Sequence, residues 1–244
     1  MNGMIKIKFL NNLEIPLIDI LIVVLLEIMI VYGKRLPHRV RYYPENDYSL
    51  NFPKHFKVIN GKDSPMIIYL IIPIFLISAN LITKKRKFRI CCVLTSYFAS
   101  QFISVLIIDL MKIFISRPRP DTNTICGSAN FESCSRILTG KQLSNQFKSH
   151  PSGGTASMTS SCIFATLFIG EVWRKSGAMK MVLKLTPIIW CIFAAGARII
   201  GHAHHPDDIA TSVLISGSIT YLVFKLTMKE PIKIVYYERL DLEE

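Results

Sequence analysis

Long blocks of apolar residues, each long enough to cross a lipid bilayer as a helix, constrain this chain more than any other feature. A bilayer core about 30 Å thick requires roughly 20 apolar residues per helix. The 244 residues contain six such blocks, at 15–32, 65–82, 91–114, 155–172, 181–200 and 209–226. The sequence therefore predicts an all-α integral membrane bundle of six transmembrane helices, built as a single polytopic domain over residues 1–244.

The chain is strongly basic, with a formal net charge of +12. In a soluble protein this charge would indicate nucleic acid as a partner. Here the basic residues lie between the apolar blocks, where membrane proteins keep cations to face lipid head groups and to set orientation. We therefore predict lipid and no nucleic acid as the binding partner.

Six spans place both termini on the same side of the membrane. The basic cluster at residues 84–87 and the pair Arg174-Lys175 then share that side. The positive-inside rule makes it cytoplasmic, although the loop after the first span is also basic and the bias is small. The sequence thus predicts a multi-pass protein of an endomembrane or the plasma membrane, with cytoplasmic termini and three lumenal or extracellular loops.

Two cysteines, Cys126 and Cys134, lie in the polar loop between the third and fourth spans. If this loop faces an oxidising compartment, the two thiols could form a disulfide. If it does not, they remain free thiols. Sequence alone leaves both alternatives open.

Three polar segments carry residues suited to chemistry, and the six-span topology places all three on the side opposite the termini. They cover residues 112–120 at the end of the third span, 151–154 at the start of the fourth, and 198–208 between the fifth and sixth. Because the topology was predicted from hydropathy alone, this common location is independent evidence for one composite site.

The first two segments, together with Arg198, suit an anion. Lys112, Arg119 and Arg198 supply fixed cations, and a guanidinium matches the oxygens of a phosphate in pairs. Ser152 and Gly153 stand directly before a predicted helix, where a hydroxyl, free backbone N–H groups and the helix dipole favour a bound anion. The pattern predicts a phosphate site.

The third segment adds a histidine and a carboxylate at helical spacing, His204 and Asp208. A carboxylate that accepts from one imidazole nitrogen leaves the other free as a nucleophile. Histidine can also form a covalent intermediate. An alternative is a zinc site, because the same segment offers several possible ligands: His202, His204, His205, Asp207 and Asp208.

The three segments resemble the signature of the type 2 phosphatidic acid phosphatase superfamily, in particular its lipid phosphate phosphatase branch. The family pattern is Lys-x6-Arg-Pro, then Pro-Ser-Gly-His, then Ser-Arg-x5-His-x3-Asp. This chain matches the first pattern in full. The second departs where Gly154 replaces histidine, and the third departs where Ala197 replaces serine but matches at Arg198, His204 and Asp208.

The resemblance implies a lipid phosphate phosphatase that releases inorganic phosphate through a phosphohistidine on His204, which Asp208 orients. Substrates in the family include phosphatidate, lysophosphatidate, diacylglycerol pyrophosphate and sphingoid phosphates. No metal and no cofactor are implied, the expected partner is lipid phosphate within the membrane, and a homo-oligomer is possible. The residues implied to bind phosphate are Lys112, Arg119, Ser152, Gly153 and Arg198.

Gly154 occupies the position where the family has the histidine that protonates the leaving alkoxide. Loss of a general acid typically costs about 10²–10⁴ in rate. One interpretation is a phosphatase that uses another acid, such as His150, His202 or His205, or a diphosphate substrate whose leaving phosphate needs less protonation. The alternative is a catalytically impaired pseudophosphatase that binds lipid phosphate without turnover.

Overall fold

The computed structural model of the protein describes residues 2–33, 35–36, 44, 47–56, 58, 66–82, 88–173 and 177–228, with side chains from residue 17 onward. Within these ranges the chain is helical and contains no β-strand. The basic cluster at 84–87, the pair Arg174-Lys175 and the tail from residue 229 lie outside the described residues. The all-α prediction is confirmed.

Nine α-helices follow one another along the described chain. The long helices are α1 (Asn2–Gly33), α3 (Ile90–Ile115), α7 (Gly153–Val172), α8 (Ala178–Ile200) and α9 (Pro206–Thr227). Helix α2 (Ile72–Ile82) continues a π-helical turn, Ile67–Ile71. Between α3 and α7 lie three short helices, α4 (Thr122–Cys126), α5 (Phe131–Ser135) and α6 (Gly140–Gln146).

Four of these helices, α3, α7, α8 and α9, are long and apolar enough to cross a membrane. They coincide within a few residues with the third to sixth predicted spans, and this part of the prediction is confirmed. Helix α1 covers the first predicted span, and the shorter apolar helix Ile67–Ile82 covers the second. The chain is a multi-pass membrane protein, and the count of six spans stays a prediction.

Helix α7 lies at the centre of the bundle, and α8 lies at its edge. Tyr97 of α3 and Phe224 of α9 both pack edge-on against the buried Phe164 of α7, with ring centroids 5.4 and 5.2 Å away. In contrast, α8 and the described part of α1 expose most of their large apolar side chains. Such faces are stable only against lipid or another apolar surface.

Buried hydroxyl groups join the central helices. Thr220 of α9 donates to Ser160 of α7 at 2.8 Å, and Gln101 of α3 donates to Ser161 of α7 at 2.6 Å. Tyr97 donates to the Ile68 carbonyl at 2.7 Å. Small polar residues allow helices to approach closely in membranes and satisfy one another's polar groups. The scaffold beneath the polar end of the bundle is therefore tightly packed.

Consecutive antiparallel helices bring four helix ends to the same side of the bundle. These are the C-terminal ends of α3 and α8 and the N-terminal ends of α7 and α9. Two of these ends are bonded directly through the backbone, because the N–H of Ser152 at the start of α7 donates to the carbonyl of Asp208 in α9 at 3.2 Å. Each end carries one of the residues singled out in the sequence.

Candidate active site

The three polar segments meet in one place. The Arg119 guanidinium donates to the backbone carbonyl of Ala203 at 2.7 Å, which joins the first segment to the third. His204 Nδ1 lies 2.9 Å from the carbonyl of Ser149, which joins the third to the residues just before the second. Residues up to 96 positions apart in sequence thus form a single site, from Lys112 to Asp208.

His204 is held in one tautomer by the backbone. The Ser149 carbonyl can only accept a hydrogen bond, so the Nδ1 atom that lies 2.9 Å from it must carry the proton. Nε2 then presents its lone pair, which is the form required of a nucleophile. Asp208 Oδ2 lies farther away, 3.5 Å from the same Nδ1. The carbonyl, more than the carboxylate, fixes the ring.

The environment of His204 keeps the ring neutral. Burial lowers the pKa of His204 from 6.5 to about 4, the hydrogen bond to Asp208 opposes this shift, and the charges of Arg119 and Lys112 support it. Only 7% of the residue is exposed. A neutral imidazole can attack phosphorus without first losing a proton.

The pH dependence of catalysis should reflect this depressed pKa. Because the folded pKa lies below that of a free histidine, the neutral ring persists as pH falls and is lost only near pH 4. We expect kcat/KM, corrected for the substrate phosphate with its second pKa of about 6, to show no loss as the pH falls from 7 to about 5. An acid limb centred near 6.5 in pH-rate measurements would contradict this assignment.

Asp208 accepts hydrogen bonds from several donors at once. Its Oδ1 accepts from Arg117 Nη1 and from His150 Nδ1, both at 3.0 Å. Its Oδ2 accepts from the Ser149 hydroxyl at 2.5 Å and from the His205 backbone N–H at 2.9 Å. The carboxylate is fully buried. From inside, it joins the third segment to the first and to the residues just before the second.

The last of these bonds also explains where α9 begins. His205 is the N-cap, Pro206 occupies the first helical position, and the Asp208 side chain reaches back to the His205 N–H as in a capping box. The sequence His-Pro-Asp-Asp therefore both starts a helix and aims Asp208 at the site.

Lys112 and Arg198 lie against the two glycines that begin α7. A Cβ atom on Gly153 would lie 2.6 Å from Lys112 Nζ, and one on Gly154 would lie 3.0 Å from Arg198 Nη2. Lys112 also forms an ion pair with Asp109 at 3.0 Å, within α3. The glycines thus leave room for two cations beside the helix N-terminus, where the helix dipole also favours an anion.

Ser152 caps α7 and lies beneath the cations. Its hydroxyl accepts from the Thr155 N–H at 3.4 Å and from the Thr155 hydroxyl at 3.0 Å, and the residue is fully buried. The backbone N–H groups at the start of α7 have no partner within their own helix. The predicted help of Ser152 and Gly153 in phosphate binding is compatible with this geometry and stays a prediction.

A possible metal cluster in the described residues is already bridged by a cation. His150, Asp207 and Asp208 place potential ligand atoms within 4.8 Å of one another. However, Arg117 Nη1 donates both to Asp208 and, over a very short contact, to Asp207. A metal bound there would compete with this guanidinium. His202 stacks on Phe52 instead, with ring centroids 5.0 Å apart.

Part of the loop after α1 lies across the site. The Phe52 N–H donates to the Pro120 carbonyl at 3.0 Å, and the Phe56 N–H donates to the Gly201 carbonyl at 3.1 Å. A Cβ on Gly201 would lie only 2.5 Å from the Phe56 carbonyl oxygen, so this approach requires glycine. We call residues 52–56 the strap, because they bridge the first and third segments.

The loop between α3 and α7 is closed by a disulfide between Cys126 and Cys134. Both cysteines are buried with Phe147 in a small apolar cluster. Of the two alternatives left open by the sequence, the structure has the paired form. The disulfide joins α4 to α5 beside the strap.

Two cavities adjoin the cations. One, of about 430 Å³, is lined by Arg119, Arg198 and Ala203 together with residues of the strap and the apolar side chains of Ile125 and Leu138. The other, of about 560 Å³, is lined by Lys112, Arg119, Lys141 and Lys148 among others. Arg119 therefore separates a partly apolar cavity from a strongly basic one.

Several contacts in the site were not predicted from sequence. The Ser149 carbonyl is a backbone atom, and no residue pattern signals it. Arg117 lies within the Lys-x6-Arg-Pro pattern, but the pattern predicts no role for it. In the structure it pairs with both aspartates of the third segment. His55 lies in the strap, 66 residues before its partner Asp121, too far apart for spacing to link them.

Comparison with known proteins agrees with the geometry. The model of the family described as the PAP2 superfamily matches residues 89–231. The "Probable diacylglycerol pyrophosphate phosphatase 1" of Schizosaccharomyces pombe is 29% identical over 139 residues, which cover 52% of this chain and 50% of the relative. The match thus spans about half the length of that relative. No solved structure matches the chain. Since the family match covers more than half of the residues, including all three polar segments, the chain belongs to the PAP2 superfamily.

Proposed function

We propose that this protein is a membrane-embedded lipid phosphate phosphatase that transfers a phosphoryl group from its substrate to His204 and then to water. The observation that carries the proposal is the buried, neutral His204, whose Nδ1 is held 2.9 Å from the Ser149 carbonyl while Lys112 and Arg119 act on it electrostatically. A neutral nucleophile among fixed cations is the arrangement that phosphoryl transfer requires.

The reaction would proceed in two displacements. His204 Nε2 attacks phosphorus as the bond from phosphorus to the lipid oxygen breaks, so that the lipid leaves and a phosphohistidine forms. A water molecule then attacks the phosphohistidine, releasing inorganic phosphate and restoring the neutral ring. The charge that spreads over the phosphate oxygens is stabilised by Lys112, Arg119 and Arg198, so the chemistry calls for no metal.

The cavity of about 430 Å³ supports a lipid phosphate as the substrate class. Arg119 and Arg198 line one part of it, and Phe56, Val58 and Leu138 line another. A phosphate with an attached acyl glycerol has the same division between a charged group and an apolar body. Phosphatidate, lysophosphatidate and sphingoid phosphates all fit this description.

The basic cavity supports a diphosphate lipid as a further substrate. Lys141 and Lys148 join Lys112 and Arg119 around it. Asp109 also lines this cavity and pairs with Lys112, so the four cations still exceed the one carboxylate and leave charge for a second phosphate. The relative from fission yeast is named for diacylglycerol pyrophosphate. A diphosphate would also lessen the need for a proton at Gly154, because its leaving group is itself a phosphate.

The disulfide supports the predicted orientation. Disulfides persist mainly in oxidising compartments, and Cys126 is bonded to Cys134 in the loop that covers the site. We infer that the site faces the lumen or the exterior. With six spans, the termini would then be cytoplasmic.

The test is phosphate release from phosphatidate in detergent micelles with excess EDTA, compared with a His204→Ala variant. We expect release by the wild-type protein that EDTA does not diminish, and release at background in the variant. Loss of activity with EDTA would favour a metal hydrolase built on His150, Asp207 and Asp208. No release from folded wild-type protein would favour the pseudophosphatase suggested by Gly154.

A further inference from the structure

We propose that His55 is the general acid of this site: oriented by Asp121, it protonates the departing lipid oxygen in place of the imidazole that Gly154 lacks. The proposal rests on the proposed phosphatase function and deepens it. It accounts for a PAP2 chain that keeps every cation and the nucleophile yet carries glycine where a proton donor is needed.

The geometry of the pair formed by His55 and Asp121 is well defined. Asp121 Oδ2 accepts from the His55 backbone N–H at 2.9 Å and lies 2.5 Å from His55 Nδ1. The other carboxylate oxygen, Oδ1, accepts from Gln146 Nε2 at 2.8 Å. Burial acts to raise the pKa of Asp121, but hydrogen bonds from His55 and Gln146 outweigh it and lower that pKa.

A charged carboxylate only accepts hydrogen bonds, so Nδ1 of His55 carries a proton. An imidazolium donates from both nitrogens. His55 can therefore donate its Nδ1 proton in a hydrogen bond to Asp121 while it transfers its Nε2 proton to another oxygen. The His55 side chain is 35% exposed, whereas Asp121 is fully buried, so the histidine is the member of the pair that a substrate can reach.

The proposal places the leaving group in a cavity that His55 lines. It lines the cavity of about 430 Å³ with Arg119 and Arg198. Arg198 in turn lies against Gly154, 3.0 Å from where its Cβ would be. His55 thus shares a cavity with the same Arg198 guanidinium that lies against Gly154, the position where the family has its acid.

The strap holds His55 in place. Phe52 is bonded to the Pro120 carbonyl and Phe56 to the Gly201 carbonyl, three residues before His55 and one after it. The Thr124 hydroxyl also donates to the Phe52 carbonyl at 2.7 Å. A ring fixed on both sides by backbone bonds and by its own carboxylate is preorganised for proton transfer.

The other histidines in the described part of the chain are less suited to this role. Only His55 among them lines this cavity. His150 Nδ1 is bonded to Asp208 at 3.0 Å, and His205 has its Nε2 buried without a partner. His202 stacks on Phe52 of the strap.

The proton balance closes over one turnover. As the phosphorus–oxygen bond breaks, the Nε2 proton of His55 moves to the lipid oxygen, which leaves as an alcohol. The neutral Nε2 then takes a proton from the water that attacks the phosphohistidine. His55 returns to the imidazolium form, and His204 returns to the neutral form.

The test uses two substrates with the same diacylglycerol body and different leaving groups. An alkoxide needs a proton because its conjugate acid, an alcohol, is about as weak an acid as water. The leaving phosphate of diacylglycerol pyrophosphate has a second pKa of about 6 and leaves without one. We expect His55→Gln to lower the initial rate with phosphatidate by about 10²–10⁴-fold. With diacylglycerol pyrophosphate the rate should stay within about threefold.

Matched variants separate this proposal from its rivals, with thermal unfolding measured for each. Asp121→Asn should also lower the rate with phosphatidate more than the rate with diacylglycerol pyrophosphate. The loss should be smaller than in His55→Gln, since Asp121 acts through His55. An equal loss on both substrates, or no loss on either, would overturn the role of His55. So would a loss confined to phosphatidate in His150→Gln or His202→Gln. If His204→Ala retained activity, the proposed function itself would fail, whatever His55 does.

Discussion

Replacing Asp208 by asparagine should lower kcat for lipid phosphate hydrolysis by about 10³–10⁴-fold, the range expected when the carboxylate behind a catalytic histidine becomes an amide. Each oxygen of Asp208 accepts from two donors, Arg117 and His150 on one side and Ser149 and the His205 N–H on the other. An amide must turn its NH2 group toward one of these pairs. Two donors would then face each other in a buried site, which costs the desolvation of both.

The effect should reach His204 through Ser149. The Ser149 hydroxyl is bonded to Asp208, and the Ser149 carbonyl is bonded to His204 Nδ1. If Ser149 were displaced, its carbonyl would no longer hold the proton on His204 Nδ1, and Nε2 would no longer be kept free as the nucleophile. The loss should therefore appear in kcat and in the amount of phosphohistidine trapped during turnover.

Asp207→Asn is the matched control for this prediction. Asp207 is the adjacent residue, also pairs with Arg117, and has a side chain that is 61% exposed. Surface ion pairs contribute about 0–1 kcal/mol, so we expect less than about a fivefold change. Similar losses in the two variants, or an Asp208→Asn enzyme near wild-type activity, would show that the buried carboxylate does not organise the site.

Replacing Arg119 by lysine should lower kcat/KM by about 10²–10³-fold, comparable to the loss of a preorganised donor to the transition state. Arg119 donates two hydrogen bonds to the protein backbone. Its Nε donates to the Asn145 carbonyl at 2.9 Å, and its Nη1 donates to the Ala203 carbonyl at 2.7 Å. Its remaining donors are available for phosphate. Lysine keeps the charge but cannot hold both carbonyls and bind phosphate in the same planar arrangement.

Arg136→Lys serves as the control for Arg119→Lys. Arg136 pairs with Glu132 on the surface, where both side chains are 75% exposed. Initial rates over a range of phosphatidate concentrations in mixed micelles would separate kcat from KM for both variants. Equal kcat/KM in Arg119→Lys and wild type would mean that only the charge of this residue matters.

Local sequence patterns predicted much of the bundle. The apolar blocks at 91–114, 155–172, 181–200 and 209–226 became helices within a few residues of their predicted ends, because a lipid-facing helix must be apolar over a fixed length. The polar segments followed from residue chemistry, since cations, glycines and histidine at set spacings signal phosphate. The first two predicted spans are helical, and whether they cross the membrane stays a prediction.

The sequence by itself thus predicted the all-α membrane fold and singled out His204, Asp208 and three cations, Lys112, Arg119 and Arg198, for the site. Only the tertiary structure decided which atoms meet. The proton on His204 is fixed by the Ser149 carbonyl, and a backbone atom leaves no trace in residue pattern. The pair of His55 and Asp121 forms across 66 positions because the strap is bonded to two separate loops. Such contacts depend on where the loops lie after the helices pack. The spacing of residues along the chain does not predict the positions of these loops.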